Sequence, residues 1–316
     1  GSGRVKGTIL NQFSMDEYND NFRIATTIHR WDFKGEAKST NNIYVLDDDL
    51  DLIGSLEDLA PGETIYSARF MGKKAYLVTF KKVDPFFVID LSDPNNPKVL
   101  GKLKIPGYSD YLHPYDENHI IGVGKEAVES KQGDFAWYQG MKIALFDVSD
   151  VENPIELHKI TIGDRGTDSE ALHNHKAFLF DKEKELLVLP ITLHEIKQKP
   201  RLNEDENVVD NSVIREWPDY GEPVFQGAFV YNLNLEDGFK LKGKITHFDD
   251  ETLMKGGYYF DDQFTVKRSL YIEDNLYTMS PRKLLVNKLS DLSLIEEIEI
   301  SEGSQYDYPY GYGGGT

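Results

Sequence analysis

The run FVIDLSDPNNPKVLGKLKIPG, Phe87 to Gly107, decides the fold. It reads as strand, tight turn, strand. Phe86, Phe87, Val88 and Ile89 are aromatic or β-branched, the residue types that fit a pleated surface. Ser92-Asp93-Pro94-Asn95-Asn96-Pro97 is turn chemistry, with Pro presetting φ and Asn and Asp tolerating turn geometry. Val99, Leu100, Leu103 and Ile105 carry the chain back. LFDVSDVENPIELHKITIG, Leu145 to Gly163, repeats the pattern. Working outward, the same hairpin appears at Ile43 to Leu56, Phe229 to Ile245 and Leu284 to Ile300.

A second hairpin type alternates with the first. It shows as YSARFMGKKAYLVTF (Tyr66–Phe80), SDYLHPYDENHIIGVG (Ser109–Gly124), HKAFLFDKEKELLVLPI (His175–Ile191) and KRSLYIEDNLYTMS (Lys267–Ser280). FSMDEYNDNFRIATTI (Phe13–Ile28) fits the same slot. Each unit is four short strands, with no long amphipathic helix between them. Four-stranded units repeated along a chain are the signature of an all-β propeller of antiparallel blades, and a linear β-solenoid is the alternative. Five blades are expected, at residues 11–63, 64–106, 107–163, 164–248 and 249–301. The opening Gly1-Ser2-Gly3 reads as an expression scar. The domain runs over 4–301, and 302–316 (EGSQYDYPYGYGGGT) is a low-complexity tail rich in Tyr and Gly.

Several longer segments resemble the secreted β-propeller proteins of archaea and bacteria that are distantly related to WD40 repeats. They are NQFSMDEYNDNFRIATT, ETIYSARFMGKKAYLVTF, DPFFVIDLSDPNNPKVLGKLKIPGYSDYLHPYDENHIIGVG and GDRGTDSEALHNHKAFLFD. The resemblance covers Arg4 to Ser301. It implies export, hence an extracellular or cell-surface setting, and it supplies no catalytic residues. Relatives of that kind carry more chain and more blades upstream. The segment Arg4-Val5-Lys6-Gly7-Thr8-Ile9-Leu10 looks like an outer strand, comparable with Lys98 to Lys104, so there are six outer strands for five inner hairpins. A ring closed at five blades is the expectation, with part of a larger propeller as the alternative.

Asp and Glu outnumber Lys and Arg, 54 to 35, for a net charge of −19. That field repels nucleic acid and anionic membrane surfaces. No apolar run reaches the ~18–20 residues a membrane span needs, so membrane insertion is not expected. Cysteine is absent, which excludes disulfides, thiolate metal sites and thiol catalysis. Phosphate-loop, nucleophile-elbow and H-E-x-x-H patterns are also absent.

Strands numbered A to D from the channel outward place B–C loops and D–A crossings on one face. The B–C loops are the long ones, at His29–Asn42, Lys125–Met141 and His194–Phe225. Long loops on a rigid scaffold are common sites of function. Trp31, Trp137 and Trp217 all fall there and are read as loop residues, with Tyr138 and Tyr220 beside them. Such rings suit a carbohydrate or protein ligand, or they seal the loops onto the blades.

Asp110, Asp168, Glu170 and Asp261 lead into inner strands near the same face. Clustered carboxylates suit a hard cation such as calcium, which takes oxygen ligands. They equally suit a glycosidase acid–base pair, or plain hydrogen bonding. His173 and His175, spaced i, i+2 in a β context, share a strand face and have the spacing for a transition metal alongside Asp168 or Glu170. Asp47 to Asp51 imitates the start of a calcium loop but has Leu52 where the glycine belongs. The expected function is a non-catalytic binding or scaffolding module. The alternatives are a carbohydrate-active enzyme and a cell-envelope building block that self-assembles through its terminal strands.

Overall fold

The computed structural model describes residues 1–30, 38–80, 84–129, 136–196, 220–249 and 260–300. Its strands form five four-stranded sheets. The first holds β1 (Met15–Tyr18), β2 (Asn21–Ile28), β3 (Thr40–Leu46) and β4 (Leu52–Leu59). The second holds β5 (Thr64–Met71), β6 (Lys74–Phe80), β7 (Asp84–Asp90) and β8 (Lys98–Ile105). The third holds β9 (Tyr108–Asp116), β10 (His119–Glu129), β11 (Ala136–Asp147) and β12 (Ile155–Ile162). The fourth holds β13 (Leu179–Asp181), β14 (Leu186–Glu195), β15 (Glu222–Asn234) and β16 (Gly238–Ile245). The fifth holds β17 (Arg268–Ile272), β18 (Asn275–Met279), β19 (Lys283–Lys288) and β20 (Leu294–Glu299). Every sheet is an antiparallel meander in chain order, so the expected propeller blades are present.

The opening run explains how sheets stack. Side chains alternate across a strand. Phe86 and Val88 therefore enter a core with Leu112, Ile120 and Phe146 of the third sheet. Phe87 and Ile89 enter a core with Ile43 and Val45 of the first. An unbroken apolar run such as Phe86 to Ile89 suits a strand covered on both faces. Each large apolar side chain so buried contributes about 1.5–3 kcal/mol.

A register feature recurs in every sheet. The third strand pairs with the fourth through Val45↔Gly54, Val88↔Gly101, Leu145↔His158, Val230↔Gly243 and Val286↔Glu296. A β-bulge follows at that same place in all five. In the first four sheets the bulged strand receives the next sheet. A Cβ on Gly54 would lie 2.1 Å from the Pro94 carbonyl oxygen, and one on Gly101 would lie 2.2 Å from that of Val151. His158 donates through Nε2 to the Leu235 carbonyl at 2.8 Å. Gly243 meets the Leu292 side chain. A charged latch joins the first two sheets as well. Arg23, almost wholly buried, pairs with both carboxylate oxygens of Asp16 at 2.7 and 2.5 Å and donates to the Gly72 carbonyl.

Three local expectations are corrected. The 125–141 loop is largely strand: β10 and β11 extend the hairpin, and Trp137 pairs with Val128 on β11 rather than standing in a loop. The inner strand of the fourth sheet is short, because Ser169 and Asn174 cap 3-10 turns at Glu170–Leu172 and His175–Ala177. His173 and His175 therefore do not share a strand face. Arg4–Leu10 makes only an isolated bridge, Thr8↔Thr27, instead of a strand in a four-stranded sheet.

Gly101→Ala is expected to lower stability by about 1–3 kcal/mol, because the added methyl overlaps the Val151 carbonyl and the second and third sheets must part. Urea unfolding checks this. An unchanged midpoint would show that the turn yields freely.

Candidate functional site

Inner strands and their lead-ins bring rings of different sheets together. Phe13, in a 3-10 turn (Gln12–Ser14), packs 5.5 Å from Tyr111 and 4.9 Å from His175 between ring centroids. The Arg69 guanidinium lies 4.1 Å over Phe13, and its Nε donates to the Leu112 carbonyl at 2.9 Å. Tyr111 Oη and His113 Nδ1 are 2.9 Å apart. Burial, and then Arg69, depress the His113 imidazole to about 4, which keeps it neutral.

The mouth is built around the crossing from the third to the fourth sheet, residues 163–169. Asp164 and Thr167 both donate to the His194 carbonyl, and Asp168 bridges to Thr192. These bonds hold the crossing on the end of β14. Lys125, reaching over from β10, donates to the Thr167 carbonyl at 2.5 Å and to Asp168 Oδ1 at 2.7 Å. Asp110 belongs to the same cluster. Burial pushes its carboxyl up to about 7, with Lys125 pulling it down and Asp168 pushing it up. Glu170 lies 4.0 Å from Lys267, which also binds Asp262 at 2.6 Å.

A cleft of about 280 Å³ opens here, lined by Asp168, Glu170, His173, His194, Gln226 and Lys267 among others. His194 Nδ1 is buried without a hydrogen-bond partner. A second cleft of about 210 Å³, with Asp110, Gln12 and His175 on its walls, shares His173 with the first.

Beside the cleft, the Arg165 guanidinium is sandwiched between two aromatic rings, 4.9 Å from Trp137 and 4.1 Å from Tyr220. Its Nη2 reaches Tyr220 Oη at 3.3 Å, and its carbonyl accepts from Gly221 N–H at 2.8 Å. Tyr220 is 69 % exposed. Trp137 and Tyr220 are thus brought together, by a residue that sequence reasoning did not single out. Its signal was present in the quoted segment GDRGTDSE: an arginine between glycines in a crossing that meets two aromatic loops. Tyr138 goes elsewhere. It packs on Tyr108 at 5.1 Å and Phe80 at 6.0 Å, sealing the second sheet against the third. Trp31 and Trp217 lie outside the described residues.

The four carboxylates do not meet at one point. Asp110 and Asp168 share Lys125, and Glu170 is held by Lys267. Asp261 accepts the Gln263 N–H at 3.0 Å, within its own turn. Among the described residues no group of three or more His, Asp or Glu is placed to hold a metal. The Asp47 carboxylate accepts from the N–H groups of Asp49 and Asp51, so that acidic turn caps itself.

Five stacked four-stranded antiparallel sheets define a β-propeller. The beta propeller domain model matches residues 1–292, and the chain belongs to that family. An uncharacterized protein of Methanocaldococcus jannaschii is 38% identical over 312 residues, covering 99% of this chain and 39% of the relative. An uncharacterized protein of Archaeoglobus fulgidus is 43% identical over 190 residues, covering 60% of this chain and 27% of the relative. The chain therefore spans well under half the length of each. Among solved structures, the β-propeller domain of Myceliophteria thermophila Cps50 (Swd1) is similar, with TM-score 0.38, 10% identity and coverage of 95% of this chain and 91% of that one.

The raised Asp110 sets a pH test. A carboxyl with a higher folded than unfolded pKa adds stability below its ordinary range and loses it as pH rises through about 7. Asp110→Asn is expected to melt higher than wild type at pH 8, with the gap closing towards pH 5. A pH-independent drop in melting temperature would instead assign the carboxylate a structural hydrogen bond.

Proposed function

We propose that this propeller is a non-catalytic binding module whose ligand sits in the cleft beside the Arg165 sandwich. The observation that carries the reading is the exposed Tyr220 ring, held against Arg165 and Trp137 and three residues along the chain from Pro223, which lines the polar cleft. A ring held rigid before binding loses little freedom on contact. Carbohydrate is the ligand class this arrangement favours. Sugars present an apolar face to a ring and hydroxyls to carboxylates such as Asp168 and Glu170, which line the cleft. An extracellular or cell-surface setting goes with the proposal, on the resemblance to exported propellers. Calcium is left out of it, because Lys125 and Lys267 already supply the positive charge among these carboxylates.

A specific observation favours a second reading. Asp110, with its carboxyl near 7, lies in one cluster with Asp168, which Lys125 pairs. Two carboxyls whose environments differ are what acid–base glycoside chemistry uses.

A glycan panel scored for both retention and reducing-sugar release separates the two. Retention without release is expected, and Tyr220→Ala should weaken it by roughly 30-fold, the effect of losing a hot-spot aromatic. Release of sugar that Asp110→Asn abolishes would replace the proposal with the enzyme. Retention indifferent to both Tyr220→Ala and Arg165→Ala would remove the site from the account.

A further inference from the structure

The interface between the fourth and fifth sheets departs twice from the pattern of the others. At each β-bulge one residue of the outer strand is left unpaired: Ile53, Leu100, Leu157, Lys242 and Ile295 in chain order. Ile53, Leu100 and Leu157 pack on the core shared with the next sheet. Lys242 stands at that point of the fourth sheet, and its ammonium donates to the Leu289 carbonyl of the fifth. An aliphatic side chain would bury apolar surface there with no charge to desolvate, so packing alone does not explain a lysine. The second departure is at the end of the third strand. β7 and β11 end on Asp90 and Asp147, which accept the Ser92 and Ser149 N–H groups. β19 ends on Lys288, and Asp291 caps that turn by accepting the Ser293 N–H.

Both lysines line a cleft of about 580 Å³ between the two sheets, at the opposite end of β14 from His194 and the mouth. Lys184, in the turn before β14, lines it too, with its ammonium 5.3 Å from the Tyr271 ring centroid of the fifth sheet. All three lysines are exposed, and among the described residues none of them forms an ion pair. Asp274 is the one acidic residue among the described residues of the lining. In a chain of net charge −19 the cleft gathers cations.

The interface between the first and second sheets shows what completes a cation at this place. Its counterpart cleft, of about 220 Å³, is lined by Arg23, and Asp16 offers both carboxylate oxygens to that guanidinium. The register puts Leu179 and Val188 of the fourth sheet where Asp16 and Arg23 stand in the first. The resident carboxylate is gone along with the arginine, the cleft is wider, and lysines reach it from other positions.

We propose that this cleft binds a small organic anion bearing a phosphate or sulfate group. Its volume falls in the range of small-molecule sites, about 300–1,000 Å³, and is more than a bare oxyanion fills. Lysine ammoniums act as point charges suited to a tetrahedral oxyanion, and among the described residues no arginine lines the cleft to fork a planar carboxylate. Leu186 and Leu289 offer apolar contact to the organic part. The site is separate from the mouth and independent of the ligand proposed there.

Binding of phenyl phosphate and phenyl sulfate to the whole chain, with phenol as the uncharged control, is measured by calorimetry at low and at physiological salt. Saturable binding of an ester but not of phenol, weakened by salt, is expected, and the tighter ester names the group. Lys184→Gln and Lys242→Leu should each weaken it about tenfold or more, the scale of one charge-assisted hydrogen bond, while Tyr220→Ala at the mouth leaves it unchanged. Lys242→Leu restores the residue type of the other bulges, so its melting temperature is expected to match or exceed that of the wild type. Failure of both esters to bind, phenol binding as tightly as they do, or affinity unaltered in both lysine variants would overturn the proposal. A melting temperature lowered by Lys242→Leu in a protein that binds neither ester would assign the lysine to holding the Leu289 carbonyl, and overturn it equally.

Discussion

A sheet with apolar residues on both faces is stable only when both faces are covered. Phe86 and Val88 point one way, Phe87 and Ile89 the other, and no single blade satisfies all four. Every larger feature follows from that requirement. Blades stack side by side, inner strands converge on a channel, and loops are sorted to two ends. The closeness of stacking is set at one register position, where a bulge bends the outer strand and a small or hydrogen-bonding residue admits the next turn. Gly54 and Gly101 admit backbone at distances no Cβ would allow, and His158 does the same work through a bond to the Leu235 carbonyl.

The stacking also positions the mouth. Residues 163–169 cross from the third sheet to the fourth and are bound to the end of β14, so Arg165 and Asp168 are held in relation to the fourth sheet rather than left in a loose loop. The cations matter more than their number suggests. In a chain of net charge −19, Lys125, Arg165 and Lys267 are set among carboxylates and aromatic faces. The mouth thus sets cations among its carboxylates although the molecule as a whole is acidic.

Strand pairs were legible in the sequence because they are local. Alternation and turn residues are written within ten residues of each other, and all five blades fall where the repeated hairpins place them. The site was legible in position and not in partnership. The carboxylates were visible, but Lys125 lies 43 positions from Asp168 and Lys267 comes from a different sheet, so nothing local announces either pair. The same distance hid Arg165, whose two rings come from β11 and from the lead-in to β15. Trp137 was read as a loop residue because the long stretch from Lys125 to Met141 was read as one loop, whereas β10 and β11 extend into it from both sides. In the fourth blade, alternation suggested a strand through His175, and the capping residues Ser169 and Asn174 outweighed it. Such side-chain bonds offer the backbone a local alternative to the ladder.

Lys267 ties the fifth sheet to the mouth. It stands at the head of β17; its N–H donates to the Met279 carbonyl, and its ammonium reaches Asp262 and Glu170. Glu170 lines the cleft. The fourth and fifth sheets share a continuous core through Leu276 and Leu285, so the strand pairing that sets the Lys267 backbone is held by packed side chains and not by a loop.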